Sequence, residues 1–248
     1  MDYLYLYDFI KVIVHLVSLY CTFIFFNDYL HKDRAILAAC LFILFPLHDS
    51  ANYWYMALSY ILVPSILMLA HHFIREQKYF LGFCVSFLGS FAFYASIPIV
   101  FGLGCIFLLQ QNFKAFIVYV APGFIYVAYY LIMKMRVDGL EVKINNDLSI
   151  SGYLQDLILQ FLTMIEASIG PSAFIKIFYS LSSISLLGIG ILFISIFSLN
   201  YHLKTNQLSS SQSINPSLIF GLSGILFLSM VIYAMTSAYW HTPFNLSN

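Results

Sequence analysis

The sequence predicts an all-α protein: a polytopic transmembrane helix bundle of about eight spans, with one further amphipathic helix at the membrane interface. Of the 248 residues, 61% are hydrophobic and only 9% are charged, whereas about a quarter of the residues in a soluble domain are charged. The mean hydropathy is +0.87. The apolar runs are continuous and helix-length, and they lack the alternation typical of an outer-membrane barrel.

Runs of about twenty apolar residues mark the individual spans. The second run is short and stops before Pro46, and the fourth and fifth are separated only by the turn "YASIP". Those two form either a hairpin or one helix broken at Pro98. Residues 1–248 form one transmembrane domain in which no internal repeat is evident. The predicted spans are approximately 9–26, 35–47, 56–74, 79–93, 95–110, 114–133, 173–199 and 217–235.

Lysine and arginine fall in alternate connections between these spans. By the positive-inside rule, the connections that carry them lie in the cytoplasm. Both termini then lie on the external side, although the basic segment 134–152 opposes this assignment. We expect a multi-pass protein of the bacterial inner membrane, or of the endoplasmic reticulum membrane in a eukaryote. The basic residues of the cytoplasmic connections are Lys32, Arg34, Arg75, Lys78, Lys114 and Lys204.

The segment 152–170 differs from the spans because it is amphipathic. Its apolar positions recur at helical spacing, while Asp156, Gln160 and Glu166 interrupt the other face. This pattern predicts a helix that lies in the membrane interface, ahead of Pro171 and the next span.

The stretch "FPLHDSANYW" places polar residues between two strongly apolar runs. In one interpretation Pro46 ends a helix, Asp49 caps the next one, and Tyr53 and Trp54 lie at headgroup level. In the other, His48 and Asp49 form a catalytic site that holds a divalent cation such as Mg²⁺ or Mn²⁺, with Asp49 as a base toward a hydroxyl group. Tyr53 and Trp54 then stack on a sugar or an isoprenoid chain. Spacing alone leaves both interpretations open.

Three polar residues near the amino terminus share one helical face. Asp8, Lys11 and His15 fall at i, i+3 and i+7. A charge inside the membrane costs a few kcal/mol and therefore needs a reason. Either Asp8 and Lys11 form an ion pair at the interface, with Lys11 extended toward the headgroups, or the face is one wall of a polar cavity that binds substrate on the external side.

The remaining polar features carry less information. His241 is predicted to be external like His48, and it is either an interface residue or a further substrate contact. His71 and His72 fall at a cytoplasmic helix end, where the helix dipole favours them. The net charge is zero and no basic cluster is present, so nucleic acid is not an expected partner. The four cysteines lack the spacing of a metal site.

The stretch from Phe45 onward resembles the GT-C class of membrane glycosyltransferases, in particular the protein O-mannosyltransferase-like branch. In that class an apolar helix ends in phenylalanine, proline and histidine, followed by an acidic residue and a tryptophan, here Phe45, Pro46, His48, Asp49 and Trp54. The resemblance covers about residues 8–80. It implies an external cavity where a polyprenyl-phosphate sugar is transferred to an acceptor glycan or protein, with His48 and Asp49 at the second polar position of the site.

The chain departs from the family pattern at both ends. The family has one more amino-terminal helix and a first external loop that bears an acidic base, whereas here Asp2 and Asp8 are the only acids in that region. The resemblance therefore predicts either a glycosyltransferase or a core fragment of one that is inactive alone.

Two hypotheses from different classes follow. The first is a glycosyltransferase, or the core of one, that uses a polyprenyl-phosphate sugar on the external face of a lipid bilayer. The second is a non-enzymatic multi-span protein, such as a lipid or small-solute transporter or an assembly subunit. A cavity open only to the outside favours the enzyme, and a pathway through the bundle favours transport.

Overall fold

The computed structural model describes residues 3–43, 59–93, 96–136, 149–182 and 215–234, together with positions 190, 193 and 197. Every regular element in these ranges is a helix, which confirms the all-α class. The helices are α1 (Tyr3–Asn27), α2 (Lys32–Ile43), α3 (Ser59–Arg75), α4 (Tyr79–Ala92), α5 (Ser96–Leu109), α6 (Phe113–Arg136), α7 (Ile150–Ile169), α8 (Pro171–Ser182) and α9 (Pro216–Ala234).

The lengths of these helices differ from those of the predicted spans. Within the described ranges, two segments are long and apolar enough to cross a membrane, Phe9–Asn27 in α1 and Phe113–Arg136 in α6. The helices α4 and α5 are two separate elements of 14 residues each, which is shorter than the roughly 20 residues that a full span needs. The structure supports an all-helical protein with two candidate spans, whereas the expectation of eight spans stays a prediction.

Successive helices form antiparallel hairpins arranged in two layers. The helices α1, α3, α5 and α9 pack side by side, and α4 and α6 pack together on α3 and α5. The helix α2 covers α1, and α7 lies against α9. The connections 28–31, 76–78 and 110–112 all fall at one end of the bundle, which we call the turn end. The other end is called the opposite end, and it carries Ile43, Ser59 and Phe93.

Two of these hairpins turn in the same way. The residues after α3 and α5 place Gln77 (φ 61°) and Gln111 (φ 57°) in the left-handed region. In each turn the next amide donates to a phenylalanine carbonyl five residues earlier, Lys78 to Phe73 and Asn112 to Phe107, both at 2.9 Å. This pattern is the Schellman motif, which satisfies the last carbonyl groups of a helix.

Residues at this common turn and at a glycine contact recur at one spacing in the sequence. Four pairs of residues are each 34 positions apart in the sequence: Pro64 and Pro98, Phe73 and Phe107, Gln77 and Gln111, Gly89 and Gly123. Both glycines lie directly against the first helix of their own hairpin, where a Cβ atom would come within 2.7 Å of Leu67 or 3.0 Å of Val100. The hairpins α3–α4 and α5–α6 therefore share a turn geometry and a glycine contact, and they lie side by side.

Large apolar side chains lie on the outside of this bundle as well as in its core, where small and polar residues lie among them. Glycines allow the helices to approach closely, as where Gly102 of α5 meets the backbone of Ile225 in α9. The buried polar side chains among the described residues are Ser18, Thr22, Ser65, His71, Ser86, Ser90, Ser96 and Gln160. Close packing at small residues is typical of helices in membranes.

Candidate functional site

The residues predicted to carry the chemistry lie largely outside the part of the chain that the structure describes. His48, Asp49, Tyr53, Trp54 and His241 are all outside the described residues. Their predicted catalytic, substrate-binding and metal-binding roles therefore stay predictions.

The structure does describe the residues on either side of the stretch at His48, Ile43 at the end of α2 and Ser59 at the start of α3. Ile43, the last residue of α2, packs with Ile61 of α3 and with Leu19 of α1. Because eight residues of helix rise about 12 Å, Lys11 lies well beyond this contact, on the part of α1 that extends past the end of α2. The chain thus leaves α2 and enters α3 at the same end of the bundle as Lys11.

A groove of about 390 Å³ runs along this part of α1, and its described lining residues are Lys11, Val12, His15 and Leu16. We call it the Lys11 groove. Nδ1 of His15 donates to the carbonyl oxygen of Lys11 at 2.8 Å. Since a carbonyl only accepts, this bond assigns the proton to Nδ1 and makes Nε2 of the neutral ring an acceptor.

The Lys11 groove therefore combines an ammonium group and an oriented imidazole with two apolar side chains. Such a wall suits an amphipathic ligand with an anionic group, because the cation pairs with the anion while the alkyl part contacts Val12 and Leu16. The backbone of α1 places Asp8 on the same helical face, one turn before Lys11.

A second polar cluster, which the sequence analysis assigned no function, lies at the turn end. Asp28 accepts a hydrogen bond at 2.9 Å from Nδ1 of His72, and Nη1 of Arg75 lies 3.7 Å from its other carboxylate oxygen. The same Nη1 donates to the backbone carbonyl of Asp28. The Asp28 side chain is only 13% exposed, so this Asp28 cluster is more strongly coupled than a surface ion pair.

Tyr29 connects the Asp28 cluster to the protein interior. The guanidinium of Arg75 lies 4.7 Å above its ring, while its hydroxyl is 3.4 Å from Nε2 of His71. Burial raises the pKa of this hydroxyl, and a hydrogen bond from the Gln110 side chain opposes the rise. Tyr29 therefore remains a neutral phenol that both accepts and donates.

His71 is completely buried in a box of aromatic rings. Its ring stacks on Phe107 with 4.0 Å between centroids, and it meets the rings of Phe25 and Tyr119 edge-on at 5.3 and 5.5 Å. The Tyr119 hydroxyl donates to the Leu67 carbonyl at 3.0 Å, which holds this wall of the box against α3.

In the sequence His71 and His72 form an equivalent pair at a helix end, whereas in the structure their side chains face different surroundings. Consecutive helical residues point about 100° apart, so His71 faces the core while His72 faces Asp28. The available signal was the apolar periodicity of α3, which places position 71 on the same face as Leu67 and Ile74.

No three His, Cys, Asp or Glu side chains converge on a possible metal position anywhere in the described ranges. Comparison of the chain with protein-family models, with curated proteins and with solved structures finds no match. The functional argument therefore rests on the residues of this chain alone.

Proposed function

We propose that this chain is a multi-span integral membrane protein, with about eight spans formed by the helices described above and by the undescribed segments. The distribution of side chains supports this. Large apolar residues that are more than half exposed include Leu16, Phe80, Leu88, Ile117 and Phe124. In water this surface would cost about 25 cal/mol for each Å², whereas in a bilayer it contacts acyl chains. The 14-residue helices α4 and α5 rise only about 21 Å each, so the bilayer thins around them.

The arrangement of the helix ends supports one orientation in the membrane. Lys32, Arg75, Lys78 and Lys114 all belong to the turn end, where Lys114 lies 4.3 Å from the ring of Tyr79. The helix α9 runs antiparallel to α5, since Gly221 meets Ile106 and Gly102 meets Ile225. The connection that carries Lys204 therefore joins α9 at the turn end too. By the positive-inside rule the turn end is cytoplasmic and the Lys11 groove is external.

The helix α7 has the properties of an interfacial helix at the external side. The Tyr153 hydroxyl donates to the carbonyl of Val231, near the end of α9 that lies opposite the turns. The apolar side chains Leu154, Ile158, Phe161, Leu162 and Ile165 are exposed on one face of α7. We propose that this face lies in the boundary between headgroups and acyl chains.

Within this membrane protein, we propose a glycosyltransferase site at the opposite end of the bundle, which uses a polyprenyl-phosphate sugar. The observation that carries the proposal is the Lys11 groove, with its cation and imidazole beside apolar side chains, at the end where the chain leaves Ile43 for the stretch at His48. Lys11 binds the donor phosphate, Nε2 of His15 accepts a hydrogen bond from a sugar hydroxyl group, and the polyprenyl chain follows Val12 and Leu16. The resemblance of residues 45–54 to GT-C enzymes supports the assignment.

The proposed reaction is a direct displacement. The acceptor hydroxyl oxygen forms a bond to the anomeric carbon while the bond from that carbon to the phosphate oxygen breaks. The hydroxyl proton passes to the Asp49 carboxylate, and the polyprenyl phosphate leaves with its negative charge balanced by Lys11. His48 and Asp49 are the residues that would hold a divalent cation if the reaction uses one.

A transfer assay in proteoliposomes tests this proposal. The donors are radiolabelled undecaprenyl- and dolichyl-phosphate hexoses, and donor retention by the protein is measured alongside transfer. Lys11→Gln is expected to lower donor retention by about 10- to 100-fold, since a charge-assisted contact contributes about 1.5–3 kcal/mol. Asp49→Asn is expected to abolish transfer while donor retention stays unchanged. The matched control, Lys114→Gln, removes a lysine at the turn end. If no donor is retained, or if Lys11→Gln and Lys114→Gln behave alike, the proposed site is wrong.

One specific observation favours transport as a second candidate function. Buried hydroxyl groups lie between the hairpins α3–α4 and α5–α6, where Ser86 donates to the Tyr119 carbonyl at 2.8 Å and Ser96 donates to the Ser90 carbonyl at 2.9 Å. Polar side chains inside a helix bundle often line the substrate pathway of a transporter. Cysteine accessibility distinguishes the two functions: a cysteine at position 86 that reacts with water-soluble reagents from both sides of the membrane supports a pathway.

A further inference from the structure

The structure leaves one buried ring nitrogen without a hydrogen-bond partner. Among the described residues, three fully buried side-chain atoms lack a partner: Ser18 Oγ, Ser90 Oγ and His71 Nδ1. A serine hydroxyl can rotate toward a nearby carbonyl, but the imidazole of His71 is held between aromatic rings and cannot turn freely. An unpaired buried polar group is unfavourable and usually indicates an ordered water or ligand.

The hydrogen-bond chain around His71 defines what Nδ1 can bind. The Gln110 side chain hydrogen-bonds to Tyr29, and the Tyr29 hydroxyl lies 3.4 Å from Nε2 of His71; we assign the Tyr29 proton to this contact, so that Tyr29 donates and Nε2 accepts. A neutral imidazole that accepts at Nε2 carries its proton at Nδ1. The unpaired atom is therefore a donor, and it requires an acceptor.

The surroundings restrict the chemical class of that acceptor. Arg75 and His72 are the nearest basic groups and disfavour a cation. The box formed by Phe25, Phe107 and Tyr119 is apolar and Arg75 already pairs with Asp28, so a buried anion would lack a counter-charge of its own and would be costly. A small neutral acceptor, such as water or a carbonyl oxygen, meets both conditions.

We propose that His71 is the donor of an occluded binding site for a small neutral hydrogen-bond acceptor, with water as the resting occupant, and that the α1–α2 turn at Asp28 and Tyr29 is the movable cover of this site. Helical residues form the other walls of the box. Tyr29 is the member of the box that belongs to a connection, and His72 and Arg75 fasten that connection to α3 through Asp28.

Chemical labelling of the full chain in nanodiscs tests the cover. Diethyl pyrocarbonate acylates accessible neutral imidazoles, and fragment-ion mass spectrometry distinguishes His71 from its neighbour. In the native protein we expect His71 to react far more slowly than His31, whose side chain is 62% exposed. Asp28→Asn is expected to speed the labelling of His71 by about tenfold, which corresponds to about 1.4 kcal/mol of weakened closure.

The matched control is Asp33→Asn, because Asp33 is 3.7 Å from the exposed His31 and lies outside the Asp28 cluster. This variant is expected to leave the labelling of His71 unchanged. Alkylation of Cys21, which is 3% exposed in α1, reports wider opening. The proposal is overturned if His71 stays protected in Asp28→Asn, or if Cys21 becomes reactive together with it, since the opening would then not be that of a local cover.

A spectroscopic measurement tests the donor independently of any variant. In the protein labelled with ¹⁵N-histidine, we expect the ring of His71 to carry its proton on Nδ1 and that proton to show a cross-peak to water. A proton on Nε2, or a protonated Nδ1 without contact to water, contradicts the proposal. The site lies at the turn end, so these outcomes are independent of the proposed transferase site.

Discussion

Replacement of Gly102 by alanine tests the packing between α5 and α9 most directly. A Cβ atom at this position would lie 2.5 Å from the backbone nitrogen of Ile225 and 2.9 Å from its Cα. Ordinary van der Waals contact begins at 3.4 Å, so the two helices must separate locally by about 0.9 Å. A gap of about that size forfeits roughly a quarter to a half of the dispersion energy of each contact.

The expected magnitude follows from two opposing terms. Overpacking costs about 1–3 kcal/mol, here the upper part of that range, about 2–3 kcal/mol, because the contact is partly with backbone atoms, and the higher helix propensity of alanine returns about 1 kcal/mol. The net loss is about 1–2 kcal/mol, which lowers the unfolding temperature of a chain of this size by roughly 3–6 °C. The measurement is thermal unfolding in one detergent, followed by circular dichroism.

Two comparisons make the result specific to Gly102. Gly224 faces the same crossing, but its nearest neighbour is the Gly102 Cα at 3.5 Å, so Gly224→Ala is expected to be neutral or stabilising. The second comparison adds Ile225→Ala to Gly102→Ala, which should give only partial rescue, because it removes the contact with Cγ1 at 2.5 Å but leaves those with the backbone nitrogen and Cα. If Gly102→Ala unfolds at or above the temperature of Gly224→Ala, the packing argument is refuted.

Three further predictions address the turns, the Tyr29 hydroxyl and the membrane position of α7. Gln77→Gly is expected to raise the free energy of unfolding by about 0.5–1 kcal/mol, because glycine adopts the left-handed conformation without strain; an unfolding free energy at or below that of the native chain contradicts this. Tyr29→Phe removes the donor to His71 and is expected to cost about 1–2 kcal/mol in denaturant unfolding, whereas Tyr60→Phe, at a half-exposed ring, should change stability by less than about 0.5 kcal/mol. In a chain whose two native tryptophans are replaced by phenylalanine, the tryptophan fluorescence of Phe161→Trp should be quenched by brominated lipids. The fluorescence of Tyr153→Trp, on the side that faces α9, should be quenched less. Equal quenching at the two positions argues against an interfacial α7.

Much of the helical pattern could be predicted from hydropathy, and the errors have a common cause. The predicted span 79–93 differs by one residue from α4, because polar turns bound it on both sides. By contrast, α1 begins at Tyr3 and α2 at Lys32, several residues before the predicted spans. Hydropathy detects the lipid-facing stretch, whereas helical hydrogen bonds also continue through polar residues.

The start of α7 shows how local chemistry could have improved the prediction. Ser149 accepts a hydrogen bond from the amide of Gly152 at 3.1 Å and caps the helix, one residue before its first turn. This is the serine position that typically precedes a helix. Pro171 begins α8 for a similar local reason, since proline is favoured at the first position of a helix.

The two candidate sites differ in how much of each could be predicted from the sequence. Periodicity alone places Asp8, Lys11 and His15 on one face of a helix, and the structure adds the groove beside Lys11 and His15. The Asp28 cluster could not be anticipated, because Asp28 is 44 positions from His72 and 47 from Arg75 in the sequence. Only the packing of α1 against α3 brings them together.

The amino-acid sequence by itself determined that the chain is helical and strongly apolar, because composition and short-range periodicity depend only on neighbouring residues. The tertiary structure alone decided that His71 is enclosed while His72 reaches an aspartate, and that two hairpins repeat the same turn and glycine contact. These properties arise from contacts between distant segments. Their energies depend on interhelical distances of a few ångströms, which no local pattern encodes.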